Sequence, residues 1–166
     1  MVQTTLFIDG EAREAKGGHS YEIYNPANIE ELVGQAASAS VEDVDEAISA
    51  AQNAYRDWSS LTIDERAAYL RHIAGHLNED ADDVAQRTRL FTREHGKTLF
   101  ETTIEINRLA DRFGQVAGFA DALKSEEDIK GAQFDTIVTR QSRGVVTLIV
   151  PWNWPLAILG LSLIHI

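Results

Sequence analysis

The chain has no cysteine among its 166 residues. Disulfides, thiolate metal sites and a cysteine nucleophile are therefore all excluded from this stretch. Positive charge is scarce: 15 Lys and Arg stand against 26 Asp and Glu, a formal net charge of -11 at pH 7. A field of that sign repels phosphate backbones and anionic lipid surfaces, so neither nucleic acid nor a membrane is expected as a partner. The start, Met1-Val2-Gln3-Thr4-Thr5, lacks a basic segment followed by a long apolar run, so no secretory signal is expected and a cytoplasmic location is the default. Repeats and low-complexity tracts are missing too. What remains is ordinary for a globular protein. The apolar fraction is 44%, which argues against wholesale disorder, and the length suits one domain with a real core.

The first third reads as short strands. Thr4 to Ile8 is followed by the turn pair Asp9-Gly10 and a return from Glu11 to Ala15. Tyr21 to Tyr24 and Leu32 to Ala37 are further strands, separated by an Asn25-Pro26 turn. The middle is helical. Val41, Val44, Ile48, Ala51, Tyr55 and Trp58 recur at steps of three and four and line one face, with Ser40 and Asp43 as a variant capping box. Thr62 and Glu65 open a second helix that buries Ala67, Leu70, Ile73, Ala74 and Leu77. A third runs from about Glu79 to His95 and stops at Gly96. A fourth runs from about Leu99 to Leu123, with Ile106, Leu109, Phe113, Ala117 and Ala120 on one face. Ser125 to Gly131 reads as a loop and Phe134 to Gln141 as a strand. The apolar run Gly144 to Val150 suits a strand buried on both faces of a parallel sheet; Pro151 ends it and Pro155 suits the first turn of a helix.

Several residue groups invite a chemical reading and do not sustain it. Gly96-Lys97-Thr98 resembles the end of a phosphate-binding loop, but Phe91 stands where the first glycine must be, so a helix stop and restart is favoured. His72 and His76 share a helical face, yet no third ligand follows and no metal is expected. Glu101 and Glu105 are spaced for one face; in so acidic a chain, surface carboxylates are the better reading.

Pro151-Trp152-Asn153-Trp154-Pro155 is different, because it joins an expected strand to an expected helix, where open α/β sheets bind ligands. The Asn153 amide could donate to an oxygen that gains negative charge during nucleophilic attack. It could equally cap the helix that Pro155 begins. Residue type and spacing leave these two readings even.

The stretches "LFIDGE", "YEIYNPAN", "VDEAISAAQNAYRDWSSLTIDERAAYLRHIAGHL", "REHGKTLFETTIEI" and above all "GVVTLIVPWNWPL" resemble, in order, the N-terminal part of the aldehyde dehydrogenase superfamily. The resemblance implies an α/β fold: short strands, four helices and the first strand of a Rossmann-like parallel sheet, incomplete here. It implies oxidation of a small-molecule aldehyde to a carboxylic acid with NAD or NADP, through a cysteine thiohemiacetal and a thioester that water releases. Asn153 matches the family's oxyanion-hole asparagine, and Ile149, Val150, Pro151 and Trp152 match the segment that lines the cofactor. Residues 133–143 match a strand that joins subunits, so a homo-oligomer is expected of a full-length protein. The family's nucleophilic cysteine, general-base glutamate, ribose-binding lysine and catalytic domain are expected beyond this stretch, which is then a partial cofactor-binding domain over residues 1–160 and not catalytically competent alone. Residues 161–166, "LSLIHI", resemble one reading frame of a transposase end sequence and are expected to be non-native.

Two other readings compete with the enzyme fragment. Residues 144–166 carry no charge apart from His165 and are long enough to span a bilayer, although Pro151, Asn153 and Pro155 would fall near its middle. Alternatively, the chain is a regulatory module that adds its subunit-joining strand to another sheet edge.

Overall fold

A computed structural model describes residues 2–124 and 126–163. The chain divides into two compact units, Met1–Arg56 with Asp80–Ile106, and Asp57–Glu79 with Asn107–Ile166. The first unit opens with short strands. β1 (Val2–Thr4) precedes a hairpin of β2 (Leu6–Ile8) and β3 (Glu11–Arg13), with Leu6 opposite Arg13 and Ile8 opposite Glu11. Asp9 and Gly10 close it with φ of 55° and 79°, the two positive values that a tight hairpin turn requires. β4 (Ser20–Asn25) and β5 (Asn28–Ala37) run antiparallel about the Asn25-Pro26 turn, and β1 adds to β5 in parallel. Gly34 faces Val2 across that parallel pair. A β-carbon there would meet the Val2 carbonyl oxygen at 2.4 Å, so the close approach needs glycine.

The remaining elements, in chain order, are α1 (Val41–Ser60), α2 (Ile63–Leu77), α3 (Ala81–His95), α4 (Leu99–Ala117), α5 (Ala120–Lys124), β6 (Glu127–Lys130), β7 (Asp135–Val138) and α6 (Pro155–Ser162). Ser40 caps α1 as its residue type predicts: its hydroxyl accepts from the Asp43 N–H at 3.1 Å. The Asp43 carboxylate in turn accepts from Ser40 N–H at 2.9 Å and from Lys16 N–H at 3.0 Å. The cap is therefore also a tether to the segment after β3. Asp43 is buried against that segment, and the start of the apolar stripe is left in solvent, with Val41 74% exposed and Val44 and Ile48 also exposed, whereas Tyr55 and Trp58 further along it are half-buried. Asp80 caps α3, accepting from the N–H groups of Asp82 and Asp83 at 2.8 and 3.2 Å. Gly96 ends α3 with φ of 83°. Ala15, Val33, Phe91 and Ile106 are the buried apolar residues of this unit.

In the second unit, α2 begins under the expected box: Thr62 Oγ1 accepts from Glu65 N–H at 3.2 Å, and the Glu65 carboxylate accepts from Thr62 N–H at 2.7 Å. Ala67 of α2 packs with Ala117 and Ala120, with Ile63 and Leu70 alongside. Leu70, Ala74 and Leu77 are half-buried, whereas Ile73 is exposed. The single long helix expected from Leu99 to Leu123 is interrupted. At its end Gly118 N–H reaches Gln115 carbonyl at 3.0 Å and Phe119 N–H reaches Val116 carbonyl at 3.0 Å, the tightened turn that terminates α4 before α5 begins. The expected buried face holds nonetheless: Ala117 and Ala120 are buried, and Leu109 and Phe113 half-buried.

Three expectations after α5 are corrected. The loop expected over 125–131 contains β6, and the strand expected over 133–143 shortens to β7; the two pair as a hairpin with Glu127 opposite Val138 and Lys130 opposite Asp135. Polar residues such as Glu127, Asp128 and Lys130 are tolerated because both strands are exposed throughout. Gly144 to Val150 forms no strand among the described residues, and Ile149 is 91% exposed. The segment is extended in its exposure pattern only: Val146, Leu148 and Val150 are half-buried while Val145, Thr147 and Ile149 are exposed. A strand also needs a partner for its backbone groups, and no neighbouring strand among the described residues supplies one there. Of the tail at 161–166, Leu161 and Ser162 continue α6 and Leu163 follows it, buried; residues 164–166 lie outside the described residues, as does Ser125.

Candidate functional site

Pro155 occupies the first turn of α6, where its missing N–H is harmless and its fixed φ favours the helix. The residues in front of it form an irregular, exposed approach. Ile149 and Trp152, at 91% and 83% exposure, stand out from the surface; Pro151 is exposed and Val150 is half-buried. The sequence-derived residues 149–153 are thus contiguous and uncharged at the start of a helix.

Asn153 does not cap that helix. The cap position belongs to Trp154, with φ of -142° and ψ of 55°, and the Trp154 side chain makes no capping hydrogen bond. The Asn153 side chain is exposed. Of its two readings from residue type, capping is therefore the one not realised. Its amide, with two N–H donors and no charge, is available to an acceptor oxygen.

α6 is held from behind. Ala157, Gly160 and Leu163 are buried at a spacing of three, which puts them on one side. At Gly160 a β-carbon would meet Arg112 Cβ at 2.6 Å and the Leu109 carbonyl oxygen at 3.4 Å, so glycine permits α6 to lie directly on α4. Near the start of α6, the Arg108 guanidinium sits over the Trp154 ring, 5.2 Å from its centroid. Sequence reasoning missed Arg108. Nothing in its local pattern distinguishes it from other exposed arginines of a helix; only the packing of α6 brings it to Trp154.

The other groups behave as follows. His72 and His76 stack with centroids 6.5 Å apart, and His76 Nδ1 lies 2.9 Å from Glu79 Oε2. Among the described residues there is no cluster of three or more side chains able to hold a metal. Gly96 ends α3, Lys97 pairs with Glu105, and Thr98 caps α4 by accepting from Glu101 N–H at 3.2 Å, so none of the three forms a phosphate cradle. Glu101 is accordingly a capping partner. Glu105 corrects the surface reading: it is wholly buried. No helix among the described residues is long and apolar enough to cross a membrane.

Comparison with known proteins agrees with the resemblance read from the sequence. The profile of the aldehyde dehydrogenase family matches residues 13–165. The chain belongs to the aldehyde dehydrogenase family. It is 42% identical to aminoaldehyde dehydrogenase 2 of Solanum lycopersicum over 157 residues, covering 91% of this chain and 30% of that protein. It is 37% identical to the chloroplastic betaine aldehyde dehydrogenase of Beta vulgaris over 160 residues, covering 91% of this chain and 31% of the relative. Among solved structures, PnpE in complex with nicotinamide adenine dinucleotide superposes with a TM-score of 0.82 at 31% identity, covering 96% of this chain and 32% of that one. The chain thus spans about a third of the length of the relatives it matches.

Proposed function

We propose that this chain is the N-terminal portion of an NAD- or NADP-dependent enzyme that oxidises an aldehyde to a carboxylic acid, with Asn153 as a donor to the carbonyl oxygen of the substrate. The observation that carries the reading is the state of Asn153: an uncharged amide, exposed, at the entrance to α6, and not spent on capping. An aldehyde oxygen gains charge when a nucleophile adds to its carbon, and an N–H donor beside it stabilises that charged state more than the starting carbonyl. Family membership supports the reaction class.

The residues before Asn153 suit a cofactor. Ile149, Val150, Pro151 and Trp152 present apolar, uncharged surface on which a flat ring and ribose can rest without desolvating a charge. NAD or NADP, when bound, would supply the hydride acceptor; a related structure holding nicotinamide adenine dinucleotide favours this choice. The nucleophile must come from elsewhere, because the chain contains no cysteine. The exposed β6–β7 hairpin, with Ile129, Phe134 and Ile137 in solvent, would join subunits of the complete enzyme.

Two measurements test the proposal together. Purified alone with an aldehyde and NAD, the chain is expected to form no NADH. Spliced in place of the matching stretch of the Solanum lycopersicum enzyme, residues 13–160 are expected to give aldehyde-dependent NADH formation. Turnover by the isolated chain, or a folded chimera with no turnover, would contradict the reading.

A further inference from the structure

We propose that Arg108 of α4 is a specificity residue: its guanidinium receives a carboxylate carried at the far end of the aldehyde, so the complete enzyme favours anionic aldehydes. The inference rests on the role given above to Asn153 and names the kind of aldehyde that site takes.

In a chain of net charge -11, cations readily find carboxylates. Arg13 meets Asp43 and Glu46, Arg87 meets Asp83, Arg93 meets Glu31 and Arg140 meets Glu127. Arg108 meets none. Among the described residues it forms no ion pair and no hydrogen bond, although Asp111 follows it by one turn of α4; its charged end rests on the Trp154 ring instead. Exposed arginines such as Arg71 and Arg89 also lack a carboxylate among the described residues, so this alone marks nothing.

Position is what sets Arg108 apart. Gly160 lets α6 lie on α4 at Arg112 and Leu109. Arg108 stands one turn earlier on the same side of α4 as Arg112 and so reaches the entrance of α6, 5.2 Å from the Trp154 ring centroid. Asn153 is the next residue back along the chain. Adjacent α-carbons are about 3.8 Å apart, so Trp154 alone links the uncharged donor to a full positive charge. These groups suit the two ends of one small molecule. The amide donates to the aldehyde oxygen. The guanidinium, exposed and with its in-plane N–H donors unengaged among the described residues, takes a carboxylate in a forked pair. The indole between them offers an apolar surface to the intervening carbons. Order along the chain separates this end from the cofactor: Ile149 to Trp152 precede Asn153, whereas Arg108 meets the residue that follows it. A positive charge in this place also repels a cationic aldehyde.

The test uses the active chimera with two aldehydes of equal length: 4-oxobutanoate, which carries the far carboxylate, and neutral butanal. For each variant kcat/KM is read on both, together with KM for NAD. Arg108→Ala is expected to lower the preference for 4-oxobutanoate over butanal roughly tenfold, the loss of a charge-assisted hydrogen bond, chiefly through KM. Arg108→Lys should retain part of the preference and Arg108→Gln little of it, and Arg108→Glu should turn it towards butanal. Partial misfolding lowers both rates together and does not disguise their ratio. A preference unmoved by Arg108→Ala and Arg108→Gln, whether the two rates hold or fall together, would overturn the proposal and leave Asn153 as the donor. So would a raised KM for NAD with the aldehyde preference unmoved, which would give Arg108 to the cofactor phosphates. A folded parent chimera that turns over neither aldehyde would remove the reading of the site itself, and the assignment of Arg108 with it.

Discussion

Among single residues, Glu105 shows most clearly how burial changes a side chain's meaning. It is wholly buried and ion-paired to Lys97, itself 12% exposed. Thr102, also buried, accepts a hydrogen bond from Thr92 at 3.0 Å nearby in sequence. Removing one partner of such a pair leaves an uncompensated charge, so Lys97→Met is expected to lower stability by about 3–5 kcal/mol in urea unfolding. Replacing both, Lys97→Met with Glu105→Leu, should recover most of that loss; a double variant no better than the single one would contradict the pairing. Spacing could not reveal this, because the cation lies in the connection before α4 and turns back over two turns of helix. Asp43 offers a pH test. Chiefly the Ser40 N–H, and also the Lys16 N–H and Arg13, hold its carboxyl below the usual aspartate range. A lowered carboxyl pKa contributes stability in full above the ordinary value of about 4 and loses it as pH falls through the lowered value. The urea midpoint should therefore drop between pH 6 and pH 3, roughly the window of carboxylate titration, and drop less in Asp43→Asn. An equal drop in the variant would remove Asp43 from the explanation.

At the scale of elements, the ends were legible and the faces less so. Asp9-Gly10, Ser40, Thr62, Gly96 and Pro155 each announce a turn, start or stop through their own backbone chemistry, and the structure uses all five as expected. Such signals are local, so sequence carries them. The face that α1 buries is set by what packs against it. At its start the buried tether from Asp43 to Lys16 takes the inward side while Val41, Val44 and Ile48 stay exposed, and only Tyr55 and Trp58 of the large stripe residues are half-buried. Gly144 to Val150 has strand composition but lacks a paired neighbour among the described residues, and pairing is a property of two segments. Gly96 supplies a direct element-scale prediction. Its φ of 83° opposes a side chain, and so does the Pro26 Cγ atom, 2.6 Å from where a β-carbon would stand. Gly96→Ala should cost about 1 kcal/mol or more in thermal unfolding, the penalty for a left-handed non-glycine residue. An unchanged midpoint would show that the α3 stop tolerates ordinary residues.

For the whole molecule, the decisive facts are family membership, coverage of about a third of its relatives, and a chain without a thiol. Phe134, Ile137, Ile149 and Trp152 are large apolar side chains in solvent. The isolated chain is expected to self-associate despite its charge of -11, visible as concentration-dependent light scattering; a monodisperse monomer at high concentration would contradict this. Pro-Trp-Asn before a helix drew attention to the candidate site, but residue type and spacing left the role of Asn153 even, and its assignment rests on the family resemblance. The place of Arg108 beside Trp154 was not legible, since that contact exists only after folding. The most direct test of the central claim is the rate of the active chimera with Asn153→Ala. Loss of an oxyanion donor predicts a fall in kcat of roughly 10²–10³-fold with the fold intact. An unchanged kcat would contradict the assignment of Asn153.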